Sequence, residues 1–174
     1  MDRLWAPWRI KYIKISAKKN GGSANICGGK RSKKCIFCKC TKSGHKNYVI
    51  LKSRYSFAVL NIFPYNNGHL MVSPIRHIRE LSQLNDIEIL DLFQTLNNAK
   101  KMLDKVLKPD GYNIGLNTSS SAGAGEAGHL HIHIVPRWKG DVNFMTSLYD
   151  TKVISQSLDG LYKQLKRYVK SKTD

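Results

Sequence analysis

Short runs of apolar residues separated by turn formers occupy the middle of the chain. Three runs are rich in β-branched and aromatic residues: Tyr48–Leu51, Tyr55–Phe63 and Leu70–Val72. Proline residues and an Asn-Gly pair mark turns at their ends. They predict three strands paired as hairpins. The runs Tyr112–Asn117 and His129–Val135 predict two more strands. The pattern therefore favours an antiparallel sheet of about five strands.

Between the third and fourth runs, the apolar spacing changes to three and four residues, which predicts a long helix. Asn85 and Glu88 form a capping box at its start, and Pro109-Asp110-Gly111 ends it. A weaker helical pattern follows near the C-terminus. The fold class is thus α+β, with one long helix and a C-terminal helix. The predicted inward positions are Ile89, Leu92, Phe93, Leu96, Ala99, Leu103 and Val106 in the long helix, and Val153, Leu158, Leu161, Leu165 and Val169 in the second.

Length and charge refine this picture. A chain of 174 residues with 41% hydrophobic content suits one compact domain, 1–174. The net charge of +17 is concentrated at one end, because residues 1–54 hold fifteen Lys or Arg against Asp2 alone. The Lys- and Gly-rich stretch at about 13–46 predicts a basic, partly flexible segment. It either attracts polyanions such as RNA or forms a solvated face.

The first ten residues lack the apolar run of a signal peptide, and no stretch reaches the roughly 18 apolar residues that cross a bilayer. All four cysteines lie close together in the basic region, at Cys27, Cys35, Cys38 and Cys40. We therefore expect a reduced, cytoplasmic protein without a membrane partner.

Three histidines, His129, His131 and His133, alternate with aliphatic residues in the last predicted strand. Because strand side chains alternate between faces, the three imidazoles share one face and the aliphatic residues take the core side. An imidazole can attack phosphorus and form a covalent phosphoramidate. A His-x-His pair can also bind zinc, and buried structural histidines are a third reading. The small residues of Ser119–Gly125 expose backbone N–H groups that suit phosphate oxygens, which favours phosphate chemistry.

The spacing Cys35-x-x-Cys38 provides half of a zinc site. Cys40 is an alternative ligand, whereas Cys27 is a weaker one. The other readings are reduced cysteines packed beneath the sheet and, less favoured without a thioredoxin-like pattern, a redox pair.

The segment 129–135 matches the signature of the histidine triad (HIT) superfamily, His-x-His-x-His followed by two apolar residues. Residues 61–72 resemble the nucleotide-pocket hairpin of that family, and residues 136–145 are similar to the segment after the triad in its Fhit-like branch. The opening Ala6-Pro7-Trp8-Arg9 resembles diadenosine tetraphosphate phosphorylases. The main resemblance covers residues 35–148 and implies a HIT-like fold.

The resemblance also implies roles for individual residues. His131 would attack the α-phosphate of a nucleotide, His133 would donate a hydrogen bond to its oxygens or to the departing group, and His129 would support the nucleophile. Glu126 stands near the position where many relatives carry Gln or a hydroxyl, and the neighbouring serines are candidate replacements. The implied nucleotide- and phosphate-binding residues are Asn61, His69, Asn117, Gly123, Gly125 and Ser119.

The implied activity is cleavage of dinucleoside polyphosphates, with diadenosine tetraphosphate and other adenine nucleotides favoured and with phosphate or water as acceptor. A Hint-like nucleoside phosphoramidase and a nucleotide- or RNA-binding module with little turnover stay open as alternatives. The resemblance further implies a homodimer or tetramer, no organic cofactor, and a structural zinc held by Cys35, Cys38, His77 and His129.

Overall fold

The computed structural model describes residues 35–41, 47–141 and 153–172. The resemblance at residues 6–9, Cys27 and most of the basic segment 13–46 lie outside this part of the chain, as do residues 142–145.

Five strands form one antiparallel sheet in the order β1-β2-β3-β5-β4. This arrangement confirms the predicted α+β fold. The strands are β1 Val49–Lys52, β2 Ser56–Leu60, β3 Leu70–Pro74, β4 Gly111–Gly115 and β5 Ile132–Arg137. Three helices accompany them in the described residues: the short α1 Ile36–Cys40, the long α2 Asp86–Val106 and the C-terminal α3 Leu158–Lys170. None of these helices has the length and apolar character needed to cross a membrane.

The long helix α2 starts where the capping box predicts. The Glu88 backbone N–H donates to Asn85 Oδ1 at 2.9 Å, and the Asn85 N–H donates to Glu88 Oε2 at 3.1 Å. The inward face is narrower than predicted, because Ile89 and Phe93 are 39% and 54% exposed. Phe93 follows a buried leucine by one residue, about 100° around the axis, and so points past the sheet. Of the predicted inward side chains, Leu92, Leu96, Ala99 and Leu103 are buried in the core and Val106 packs against it, and Met102 is also buried there.

The core lies between the sheet and the helices α2 and α3. Leu130, Ile132 and Ile134 are buried in it, which confirms the aliphatic face predicted for the triad segment. Leu161 and Leu165 bring α3 against the same core. The predicted inward position of Val153 is wrong: this residue precedes α3 and is 50% exposed.

Strand β5 begins at Ile132, three residues later than predicted. The β3–β5 ladder pairs Leu70–Val72 with Ile132–Ile134 and then stops. Pro74 has no N–H to donate to a continuing ladder. Side chains make the links instead, since Ser73 Oγ donates to the Leu130 carbonyl at 2.8 Å and His129 Nε2 donates to the Pro74 carbonyl at 2.9 Å. His129 and His131 therefore lie before the strand on a segment fastened by hydrogen bonds.

Candidate active site and metal centre

His131 and His133 form the centre of the site. Their ring centroids are 4.9 Å apart, and the rings meet edge to face at 74°. His131 is buried, at 5% exposure, whereas His133 is half-buried. Both border a cleft of about 710 Å³. The site thus joins two neighbouring imidazoles to a cavity of the size that small-molecule sites usually have.

A hydrogen bond shows which tautomer the neutral His131 ring adopts in this orientation. Its Nδ1 lies 2.9 Å from the His129 carbonyl oxygen, which can only accept. Nδ1 therefore carries the proton, and in the neutral ring the lone pair belongs to Nε2. This tautomer leaves Nε2 available as a nucleophile.

A chain of hydrogen bonds determines the tautomer of His133 in the same way. His69 Nδ1 accepts the backbone N–H of Tyr65 at 3.1 Å and lies 3.3 Å from the Asn61 amide nitrogen. The proton of neutral His69 is therefore on Nε2, which donates to His133 Nδ1 at 2.9 Å. It follows that neutral His133 carries its own proton on Nε2 and can donate it as a hydrogen bond.

Burial keeps this pair neutral. Desolvation lowers the pKa of the fully buried His69 to about 3, and the neighbouring His133 and His131 add to the shift. The pKa of His133 is also lowered, first by burial and then by His131. At neutral pH the pair therefore offers one donor rather than a positive charge.

The cleft collects some of the predicted nucleotide-binding residues but not all. Asn61, Gly123 and Gly125 line it together with His131 and His133. His69 lies behind His133. Two further residues belong to the loop next to the cleft and are not among its lining residues: the Asn117 amide nitrogen is 3.5 Å from the Gly123 carbonyl oxygen, and the Ser119 hydroxyl accepts from the Ser121 N–H.

Several cleft residues were not named individually as site residues, although the family resemblance implies a nucleotide pocket at the hairpin 61–72. Ile62, Phe63 and Tyr65 form an apolar rim and are 57%, 79% and 58% exposed. The apolar pattern predicts Ile62 and Phe63 at the end of a strand. In the structure β2 ends at Leu60, and the chain bends after Asn61 towards the cleft. The sequence feature that could have identified them is a group of large apolar residues beside the turn former Pro64. Ile36, Phe37 and Lys39 from α1 also line the cleft, and Glu126 joins from the glycine-containing loop.

A second group of side chains meets on the other side of His129. Four potential ligand atoms, from Cys35, Cys38, His77 and His129, lie within 4.8 Å of one another, and all four residues are buried. The Cys35 Sγ to His129 Nδ1 and Cys38 Sγ to His77 Nδ1 distances are both 3.3 Å. His129 Nδ1 lies 3.7 Å from Cys38 Sγ and 3.2 Å from His77 Nδ1. We call these four residues the Cys₂His₂ cluster; Cys40 does not belong to it.

The cluster has the dimensions of a tetrahedral metal site. With Zn–S near 2.3 Å and Zn–N near 2.0–2.1 Å, a regular tetrahedron separates two nitrogens by about 3.3 Å and a sulfur from a nitrogen by about 3.6 Å. Four of the six separations, at 3.2–3.7 Å, agree with these values, and all six are within 4.8 Å. His129 donates its Nε2 proton to the Pro74 carbonyl, which leaves Nδ1 free as a ligand. Without a cation, burial raises the pKa of the Cys35 thiol to about 12. These residues could hold one metal ion.

Comparisons with known proteins identify the family of the chain. The HIT domain model matches residues 43–140. A Mycobacterium tuberculosis protein named AP-4-A phosphorylase is 38% identical over 159 residues, 91% of this chain and 79% of its own. The Schizosaccharomyces pombe bis(5'-nucleosyl)-tetraphosphatase (asymmetrical) is 33% identical over 93 residues, 53% of this chain and 50% of its own. A Zn-bound histidine triad family protein from Mycobacterium smegmatis shares the fold, with a TM-score of 0.65, 20% identity, and coverage of 80% of this chain and 96% of its own. The chain therefore belongs to the HIT-domain family.

Proposed function

We propose that this protein is a nucleotidyl transferase or hydrolase that cleaves dinucleoside polyphosphates through a covalent nucleotidyl-histidine on His131. The observation that carries the proposal is the hydrogen bond from His131 Nδ1 to the His129 carbonyl. It leaves the Nε2 lone pair free beside a cleft that contains His133. This is the arrangement that nucleophilic catalysis at phosphorus requires.

In the first step, His131 Nε2 forms a bond to the α-phosphorus while the bond from that phosphorus to the bridging oxygen breaks. The departing nucleoside polyphosphate leaves as an anion and needs no proton, because the second pKa of such a phosphate is near 6. The substituted ring of His131 becomes cationic with its proton on Nδ1. Its hydrogen bond to the His129 carbonyl is then charge-assisted and stronger.

His133 supports both steps as a donor. Its Nε2–H would donate to a non-bridging or departing oxygen as negative charge develops there. In the second step, water or inorganic phosphate attacks the same phosphorus, the P–N bond breaks, and the lone pair returns to His131 Nε2. An attacking water also releases one proton to the solvent. Donation by a neutral histidine fits this role because no proton has to be transferred to the departing nucleotide.

The cleft suits an adenine nucleotide. The rim formed by Ile62, Phe63 and Tyr65 offers apolar surface to a base, and Asn61 offers an amide for the ribose. Gly123 and Gly125 allow close approach of phosphate oxygens to the backbone. Asn117 and Ser119 are proposed to assist from the same loop, and His69 is proposed to act by orienting His133. The relative named AP-4-A phosphorylase, which matches 91% of this chain, supports diadenosine tetraphosphate as the substrate.

The acceptor can be identified from the products. Diadenosine tetraphosphate is incubated with the full-length protein, with and without inorganic phosphate. ADP plus ATP formed only with phosphate would identify a phosphorylase, and AMP plus ATP in either condition would identify a hydrolase. Preferential cleavage of nucleoside phosphoramidates would move the protein to the Hint-like alternative. Nucleotide binding without any turnover would contradict the enzyme and favour a binding module.

We propose zinc as the ion of the Cys₂His₂ cluster. Two thiolates and two imidazoles in a buried tetrahedral set are the ligands that structural zinc prefers, and four protein ligands leave no open position. Bound zinc would link α1 to the segment before β5. Metal analysis of the purified protein is expected to give one zinc per chain; the same full occupancy by a different metal would contradict this assignment.

Two predicted partners complete the proposal. A second copy of the chain is supported by β4, an edge strand whose Ile114 is 48% exposed. Light scattering at several concentrations measures the assembly.

Weak, salt-dependent RNA binding is proposed for the basic block 1–54. Deletion of residues 1–34 would test its contribution.

A further inference from the structure

Phe37 lies between the two cysteines of the Cys₂His₂ cluster and also contacts the nucleophile of the proposed reaction. Its ring centroid is 4.8 Å from that of His131, at an interplanar angle of 34°, and 5.3 Å from that of His129, at 61°. The side chain is 1% exposed. One phenyl ring thus packs against a predicted metal ligand and against the imidazole that would attack phosphorus.

His131 needs such a contact. A hydrogen bond from Nδ1 holds one atom of the ring, but the terminal torsion of a histidine is broad and does not select one orientation by itself. The Phe37 ring lies against the imidazole at a tilted interplanar angle of 34°, and the His133 ring meets it edge to face. The two rings together restrict the direction in which Nε2 points.

The placement of Phe37 depends in turn on the cluster. Helix α1 has only five residues, the side chain of its N-cap residue Cys35 makes no capping hydrogen bond, and its first turn has no acidic residue. The Glu126 carboxylate, from the loop before β5, accepts the Ile36 N–H at 3.4 Å. So short a helix is not stable on its own. Cys35 and Cys38 flank Phe37 and approach His129 and His77 at 3.3 Å. Coordination by these four residues would therefore hold the phenyl ring in position.

We infer that Phe37 is a positioning residue through which the Cys₂His₂ cluster orients His131. The inference rests on the proposed role of His131 as the nucleophile. Two connections run from the cluster to His131: the carbonyl of the ligand His129 accepts its Nδ1 proton, and the Phe37 ring packs against its face. The cluster therefore acts on the orientation of the nucleophile as well as on stability.

Phe37→Leu tests this inference, with Phe57→Leu as the matched control. Phe57 is a fully buried phenylalanine of the same apolar cluster, and its ring is 6.4 Å from that of Phe37. Among the described residues, its aromatic contact is with Phe37 and not with the triad. Both substitutions remove an aromatic ring from the same part of the core. Only Phe37→Leu removes the ring that covers His131.

Three experiments are made on the zinc-loaded, full-length proteins. Metal analysis gives the zinc content, steady-state kinetics give kcat and KM, and imidazole ¹⁵N–¹H NMR correlations report the tautomer of His131. For Phe37→Leu we expect one zinc per chain, kcat reduced about 10- to 100-fold with KM within about threefold, and a mixture of His131 tautomers. For Phe57→Leu we expect kcat within about twofold of the wild type and a single Nδ1–H tautomer.

Equal losses of kcat in the two variants, or an unchanged His131 tautomer in Phe37→Leu, would overturn the inference. If Phe37→Leu does not fold, Phe37→Met keeps more of the volume while removing the ring, and the same outcomes apply. The NMR measurement does not depend on turnover. A protein whose His131→Asn variant remains active would contradict the proposed function, while the tautomer of His131 would still test the role of Phe37.

Discussion

The two outer histidines of the triad have the same side chain but opposite surroundings. His129 points its Nδ1 into the buried Cys₂His₂ cluster, where two sulfurs and another nitrogen lie within 3.7 Å. His133 accepts at Nδ1 from His69 and borders the open cleft. One end of the triad belongs to a closed cluster of potential metal ligands, and the other is a donor facing the open cleft.

The partner of the second ring nitrogen accounts for the difference. His129 donates from Nε2 to the Pro74 carbonyl, which leaves Nδ1 as a lone-pair ligand. In His133 the accepting nitrogen is Nδ1, which leaves Nε2 as a donor. His131, between them, donates from Nδ1 and keeps its lone pair on Nε2. Three alternating histidines thus present three kinds of nitrogen. Substitutions at or beside each histidine should therefore have different effects.

The largest expected effect is that of His131→Asn. Removal of the nucleophile is expected to reduce kcat for diadenosine tetraphosphate by at least about 10³-fold, because the covalent route is lost. Rapid quenching with radiolabelled substrate should show no nucleotidyl-protein, while equilibrium binding of the substrate changes little. His45→Asn is the control, since His45 is the one histidine outside the triad, His69 and the cluster. Wild-type turnover by His131→Asn would contradict the mechanism.

At the His129 end, Cys38→Ser is expected to remove one ligand of the proposed zinc ion and to release it. Zinc content should fall well below one per chain, and the Tm should fall by about 10 °C, as expected for a loss of a few kcal/mol in a domain of this size. Cys40→Ser provides the comparison, because Cys40 lies outside the cluster. It should keep its zinc and a Tm within about 2 °C of the wild type. Full zinc occupancy in Cys38→Ser would show that the cluster is not the binding site.

At the His133 end, we compare His69→Leu with His69→Gln. Leucine cannot donate to His133 Nδ1, so His133 is no longer held in the Nε2–H tautomer. We therefore expect kcat to fall about 10- to 100-fold, with a smaller change in KM. The amide nitrogen of glutamine can replace His69 Nε2 and should restore part of the loss. Steady-state kinetics of the two variants measure this effect. Equal activity of His69→Leu and the wild type would exclude a positioning role.

The smallest effect is on the pH dependence of stability. The pKa of His69 is about 3 in the folded protein and near 6.5 when unfolded. The unfolded state therefore binds more protons between these values, so the stabilisation is complete above pH 6.5 and is lost as pH falls towards 3. The upper limit of this contribution is about 1.4 kcal/mol per pH unit. Urea unfolding measures the free energy of unfolding between pH 7 and pH 5. This free energy should fall less steeply with decreasing pH for His69→Gln than for the wild type, and equal slopes would contradict the assignment.

Much of the fold was predictable because it depends on local patterns. Alternation placed Leu130, Ile132 and Ile134 in the core, and Asn85 with Glu88 marked the start of α2. The first residue of β5 was not predictable from this alternation. It depends on Pro74 of β3, which lies far from the triad in sequence and cannot extend the ladder.

The site was predictable in composition but not in geometry. Spacing indicated that His131 and His133 share a face, and Cys-x-x-Cys indicated two thiol ligands. The proposal of His77 as a ligand came from the family resemblance, because no local pattern connects it to Cys38, 39 residues away. The rim at Ile62 and Phe63 and the contact between Phe37 and His131 had no periodic signal, since they arise where separate segments meet.

The sequence by itself determined which atoms this protein has for its chemistry: three alternating imidazoles, a cysteine pair and a loop of small residues, on an α+β framework set by apolar periodicity. Only the tertiary structure decided which nitrogen of each histidine holds a proton. That choice depends on the Pro74 and His129 carbonyls and on His69, and a hydrogen bond to a distant group has no period in the sequence.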